Sequence, residues 1–122
     1  MKIRTFKDLD VYKKSFRLHI EIHELSMTFP KFEMYELGSQ IRRSSNSVPA
    51  NIAEGYNNQH TNIYLEGLNR AVGEAQETQH HLYSAFEKGY LDRAKYNGID
   101  VRYTECIKML FGLRNSLLKN PR

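Results

Sequence analysis

Residues 8–29 read DLDVYKKSFRLHIEIHELSMTF, and the spacing of their apolar side chains decides the fold class. Leu9, Tyr12, Phe16, Ile20, His23 and Met27 recur at steps of three or four, the period of one face of an α-helix. This spacing predicts a helix from about Asp8 to Met27 that turns this stripe toward a core. A second stripe, Val11, Leu18, Ile22, Leu25 and Phe29, runs at heptad-like spacing on nearly the opposite side. A helix at the edge of a small bundle needs one apolar face, so the second stripe is expected to form an oligomer interface with another subunit. Changing Ile22 and Leu25 to Asp is accordingly expected to break assembly and spare helicity.

The pattern continues outward from this helix. Pro30 ends it, and a second helical period begins near Glu33, with Met34, Leu37, Ile41, Val48 and Ile52 on one face. Pro49 lies inside that period; it lacks the amide donor that would bond Ser45, so a kink is expected there. Ser44, Ser45, Ser47, Ala50, Ala53 and Gly55 keep this helix thin, which allows close approach by another backbone. Its opposite face carries Arg43, Ser47 and Glu54, with Ala50 beside them and Asn51 at the flank, and suits water or a polar subunit contact. After a polar connection at Asn57–Thr61, Tyr64, Leu65, Leu68, Ala71, Val72, Ala75, Leu82 and Phe86 mark one face of a long third helix, which Gly89 closes. A fourth runs from about Asp92 or Arg93 to Leu118, with Ile99, Tyr103, Cys106, Ile107, Leu110, Leu113 and Leu117 inward and Asn97-Gly98 as its weak point. No segment alternates convincingly as a strand. Short loops favour antiparallel neighbours, so the chain reads as all-α, a single antiparallel up-down four-helix bundle over 1–122.

Length and composition agree, since 122 residues can bury one core but scarcely two. With 40% hydrophobic residues and 26% charged, the composition is that of an ordinary globular chain. No apolar run approaches the roughly 18–20 residues of a membrane span, and Met1–Phe6 lacks a signal peptide's apolar region, so a cytoplasmic protein with no membrane role is expected. Cys106 is the single cysteine and sits in an apolar stripe, where a buried hydrophobe is expected in preference to a nucleophile. The net charge of +4 is unevenly placed. Residues 1–20 carry six Lys or Arg against two Asp, residues 21–91 five against nine Glu, and residues 92–122 seven against three acids. If the first and last helices are neighbours, their surfaces form a common basic side suited to phosphate.

Helix geometry argues against a catalytic or metal centre. His19 and His23 stand four apart beside Glu24, but no third ligand is identifiable. Glu77 and His80 have the Glu-x-x-His spacing of di-iron bundles, which need that motif twice plus two further carboxylates, all inward; here it occurs once and faces outward, as does His80-His81. No Gly-rich phosphate loop follows a strand, and no Ser, His and acid grouping is suggested by spacing. No enzyme activity, metal or cofactor is expected.

The runs Gln40-Ile41-Arg42-Arg43 and Ser47-Val48-Pro49-Ala50-Asn51-Ile52-Ala53-Glu54-Gly55 resemble the signature of the bacterial four-helix bundle proteins of the 23S rRNA intervening-sequence family. Phe6-Lys7-Asp8-Leu9, Phe29-Pro30, Glu33 with Tyr35 and Leu37, and Gly89-Tyr90-Leu91 fit the same pattern. Tyr12 stands where the family often has Trp, and Glu74 follows Gly73 where Ser is usual. The resemblance implies a left-handed bundle forming ring-like homopentamers, with no settled biochemical role. A distant branch of the same architecture serves as the accessory protein of diversity-generating retroelements and binds RNA and a reverse transcriptase. Within the signature, Ser47, Pro49, Asn51, Glu54 and Gly55 are read as structural: Asn51 and Glu54 can satisfy backbone groups near the proline or pair with Arg43, and Gly55 permits close approach.

Two functions from different classes follow. In the first, the chain is a non-enzymatic, oligomeric RNA-binding accessory module, with Lys13, Lys14 and Arg17 on the first helix and Arg42 and Arg43 on the second neutralising phosphates. Against it, Glu21 and Glu24 can partly neutralise Lys13 and Arg17, and most Tyr and Phe are assigned to core stripes rather than interleaved with surface cations. In the second, it is an oligomeric scaffold for a protein partner, with no nucleic-acid role.

Overall fold

Order begins at a capping box. The Thr5 hydroxyl accepts from the amide of Lys7, while the Asp8 carboxylate accepts from the amides of Arg4 and Thr5, fixing a 3-10 turn over Phe6–Asp8. In the computed structural model, which describes residues 2–122, four helices follow: α1 (Asp10–Ser26), α2 (Leu37–Asn57), α3 (Thr61–Glu87) and α4 (Arg93–Lys119). A second 3-10 turn, Lys31–Glu33, lies between α1 and α2, so α2 begins one turn later than its apolar spacing suggested and Met34 is left exposed. Asp92 caps α4 by accepting from the amide of Lys95. At the other end of that connection, Gly89 has φ +83, and the amides of Tyr90 and Gly89 bond back to the carbonyls of Ala85 and Phe86, a Schellman closure of α3. Pro49 is accommodated inside α2 without ending it.

Side-chain pairs fix the directions. Between α1 and α2, Ser26 meets Arg42 and His19 meets Ser45; between α2 and α3, Ser44 meets Thr78 and Gly55 meets Tyr64. Between α3 and α4, Asn69 meets Arg114 and Phe86 meets Tyr96; between α1 and α4, Lys14 meets Glu105 and Glu21 meets Arg102. In every pair one number rises as the other falls, so all four neighbouring helices are antiparallel and the bundle runs up, down, up, down. Each helix touches its two neighbours, and α1 and α4 close the circle.

The α2/α3 seam is the closest. A Cβ at Gly67 would lie 2.8 Å from the carbonyl oxygen of Asn51 and 3.2 Å from the Cα of Gly55, and one at Gly55 would lie 3.0 Å from the ring of Tyr64. These two glycines let the backbones meet, as expected of Gly55; Gly67 is its partner. At the far end of the bundle a buried carboxylate ties two corners together. Glu33, 1% exposed, accepts from Tyr90 Oη at 2.7 Å, Lys88 Nζ at 3.0 Å and the amide of Leu37 at 3.3 Å. The Tyr90 hydroxyl first, then the Lys88 ammonium, outweigh burial and hold this carboxyl below the usual range.

The core corrects the reading of α1. Val11, Leu18, Ile22, Leu25 and Phe29 are buried within the chain, at 7% exposure or less, so these five residues are not available as an oligomer interface. They line the core together with Ser15 and Ser26, whose small side chains let α2 approach. The stripe assigned to the core is the outward one: Phe16, Ile20 and Met27 are 42%, 43% and 56% exposed, His23 is exposed, and only Leu9 and Tyr12 are half-buried. Exchange of Ile22 and Leu25 for Asp is therefore expected to unfold the chain and not merely to separate subunits. The inward residues of α3 and α4 are buried or half-buried as their spacing predicts, including Cys106. Burial pushes the Cys106 thiol up to about 12, which leaves it protonated and unreactive at neutral pH.

Candidate nucleic-acid interface

The five basic residues singled out from sequence do not share one fate. Arg43 is held by two carboxylates of α3, bonding Glu74 Oε1 and Oε2 at 3.2 Å each and also Glu77. Glu74 first and then Glu77 raise its pKa further, so it is a permanent cation already neutralised inside the chain. Burial alone would raise the pKa of Glu77; bonds from Arg43 and from His81 at 3.1 Å outweigh it and hold this carboxyl ionised. Arg42 is a tether: it donates to Ser26 Oγ at 3.0 Å and to the carbonyl of Met34 at 2.7 Å, closing the α1–α2 corner. Lys14 lies 3.3 Å from Glu105 on α4.

Lys13 and Arg17 differ from these. Both are exposed, and among the described residues neither has a carboxylate oxygen within 4.0 Å. The acids that were expected to neutralise them do not. Glu21 turns to α4 and takes both ends of the Arg102 guanidinium, a bond that, before all other influences, lowers the pKa of Glu21; exposed Glu24 pairs with neither cation. The α1/α4 side is thus less basic than its sequence suggests at the seam, where Lys14–Glu105 and Glu21–Arg102 cancel, and more basic on the outer face of α1.

That outer face is a groove of about 480 Å³ lined by Lys7, Tyr12, Lys13, Phe16, Arg17 and Ile20. Helical period places them: Phe16 and Ile20 follow Tyr12 one and two turns on, and Lys13 and Arg17 run beside them. Lys7 arrives from the 3-10 turn, which Phe6 seats by meeting Tyr12 edge-on at 4.9 Å. The rings of Tyr12 and Phe16 lie 5.9 Å apart and within 12° of parallel, and His19 and His23 continue the row at 6.5 Å steps. Aromatic and basic side chains are therefore interleaved on this surface, contrary to the assignment of most Tyr and Phe to the core. Tyr12, Phe16 and Ile20 were missed as lining of this groove because the two stripes of α1 were exchanged; Lys7 lies outside both stripes, and the Thr5-x-x-Asp8 capping box was the signal for where it turns.

The remaining candidates divide between packing and solvent. His19 is half-buried with Nδ1 2.8 Å from Ser45 Oγ, and burial first, then the neighbouring His23, lowers its pKa. Among the described residues no three His, Cys, Asp or Glu side chains are grouped to hold a metal ion. Of the signature residues, Pro49 and Gly55 are buried, Ser47 donates to the carbonyl of Arg43, and Asn51 donates to the carbonyl of Ser47 at 2.7 Å. Glu54 is exposed, and the carboxylates that hold Arg43 come from α3 rather than from Glu54. A second groove, of about 490 Å³, is of mixed sign, with Glu33, Glu36, His80, His81 and Lys88 on its walls, and offers no concentrated field to an anion. Among the described residues no helix is long and apolar enough to cross a membrane.

The profile of the 23S rRNA-intervening sequence protein family matches residues 7–112. Among solved structures, a protein with unknown function from the S23 ribosomal protein family of Bacteroides thetaiotaomicron is similar over 86% of this chain and 95% of its own, with 29% identity and a TM-score of 0.80. No curated protein gives a significant match.

Proposed function

This chain belongs to the 23S rRNA-intervening sequence protein family, and from that premise we propose that it is a non-enzymatic, cytoplasmic RNA-binding accessory module whose contact surface is the outer face of α1. The observation that carries this reading is the pair Lys13 and Arg17, exposed and without a carboxylate partner on a face whose other walls include Lys7. Cations that the fold leaves uncompensated are free to release counterions from phosphate; Lys14, Arg42 and Arg43 are engaged within the chain and contribute little. The homopentamer implied by resemblance belongs to the same proposal. A ring would repeat this face several times, so modest contacts at each copy would add along one RNA.

The test is a salt titration of RNA binding, with oligomeric mass read by light scattering on the same sample. K13E/R17E is expected to abolish binding at physiological salt and to leave mass and helicity unchanged. Each lost phosphate contact reduces the log–log salt slope by about 0.7 on single strands, so the single changes should lower it by roughly that amount. K14E should be far milder. Wild-type affinity in K13E/R17E would overturn the assignment.

The scaffold reading retains one specific support: Phe16 and Ile20 on α1 and Met27 at its C-cap are exposed apolar side chains, of the kind a protein partner covers. It predicts that K13E/R17E is tolerated, whereas polar substitution at Ile20 and Met27 destroys partner capture.

A further inference from the structure

Resting on the RNA-binding reading above, we infer that the α1 groove takes an unpaired strand, with a nucleobase stacked on Phe16 and Tyr12 and its phosphates on Lys7, Lys13 and Arg17. Cations alone would suit any nucleic acid; the rings select among them. Phe16 is 42% exposed and lies nearly parallel to Tyr12, so the two already form an offset stack whose outer ring is open to a third planar group. The edge-on contact from Phe6 fixes Tyr12, and through it the platform costs little to organise. Ile20 extends the apolar floor by one further turn. Single strands are held by this combination, a basic track beside aromatic faces, because every base has a π-face while only the backbone carries charge. Bases inside a duplex are already stacked on their neighbours and cannot reach Phe16.

A second copy of the chain fits the groove less well. The lining has three cations and no carboxylate, and a copy carrying the same net charge of +4 would have to bury acids against all three to offset their lost hydration.

The chain has no Trp, so Phe16→Trp installs a single reporter on the proposed contact. Its fluorescence is followed as a 12-nucleotide unstructured RNA is added, and separately as the same sequence is added as a duplex. Quenching by the single strand and not by the duplex is the expected result. In parallel, Phe16→Ala should weaken single-strand binding roughly five- to a hundred-fold, the range for one lost base–aromatic stack, while leaving duplex binding and oligomeric mass unchanged. Phe16→Tyr should restore it. If Phe16→Ala binds like wild type while K13E/R17E does not bind, stacking is wrong and the phosphate reading survives. If neither protein nor wild type binds RNA, both fail together. A drop in oligomeric mass in Phe16→Ala assigns the patch to a second copy and overturns the inference.

Discussion

Ile20 and Ile22 are the same residue two positions apart on α1, yet one is 43% exposed and the other fully enclosed. Each belongs to an apolar stripe of similar length, and hydrophobic periodicity weighs the two alike. What separates them is the company they keep. Ser15 and Ser26 lie on the side of Ile22 and are buried, leaving room for α2, whose Arg42 reaches Ser26 Oγ at 3.0 Å. Lys13 and Arg17 lie on the side of Ile20, and burying that stripe would strip two cations of water with no carboxylate at hand. An apolar stripe therefore says that a face wants cover, and its small and charged flanks say whether the chain's own core supplies it.

The sharpest break of this comparison is a matched pair of substitutions. Ile22→Asp is expected to cost more than about 4 kcal/mol and to unfold the chain near room temperature, because an unpaired carboxylate cannot be hydrated in that position. Ile20→Asp should remain within about 0.5 kcal/mol of wild type. Urea unfolding followed by circular dichroism checks both, and equal costs would mean the two faces are misassigned.

Much of the fold was legible from such patterns. Helices α2, α3 and α4 and the inward residues of α3 and α4 follow from one dominant stripe per helix, the end of α3 from Gly89, and the antiparallel order from short loops. The assignment of α1 failed because that helix has two stripes, and with it Tyr12, Phe16 and Ile20 went unread as the lining of the groove beside Lys13 and Arg17. Burial of Glu33 was illegible for a different reason: a carboxylate is enclosed only when distant partners, here Lys88 and Tyr90, converge on it, and such convergence leaves no periodic trace. The same holds for Gly67, whose role depends on Asn51 and Gly55 across a seam.

The comparison of faces extends to α3 with a smaller effect. Gly67→Ala puts a methyl group 2.8 Å from the Asn51 carbonyl oxygen and should destabilise by about 1–3 kcal/mol as α2 is pushed away. Gly73→Ala meets nothing within 4 Å and should stabilise by about 0.5–1 kcal/mol through helix propensity alone. Thermal denaturation of the two variants should move in opposite directions.

The mildest effect is on pH dependence, at the border between the two faces of α1. His19 has a folded pKa below its usual 6.5, from burial and then from His23, so the stability it contributes is present above about pH 6.5 and lost as pH falls through the folded value. Glu33, also depressed, loses its contribution only below its ordinary value of 4.5. Unfolding free energy should therefore decline in two stages on acidification. In His19→Gln the first stage should flatten while the second persists, and an unaltered first stage would show that another group controls it.

Photocrosslinking decides whether RNA lies on the outer face of α1, as proposed. An unstructured RNA containing 4-thiouridine is bound to the wild-type protein near physiological salt, irradiated and digested, and the crosslinked peptides are identified by mass spectrometry. Adducts are expected within residues 7–20, centred on Tyr12 and Phe16. Adducts confined to α2 and α3, with residues 7–20 unmodified, would contradict the proposal.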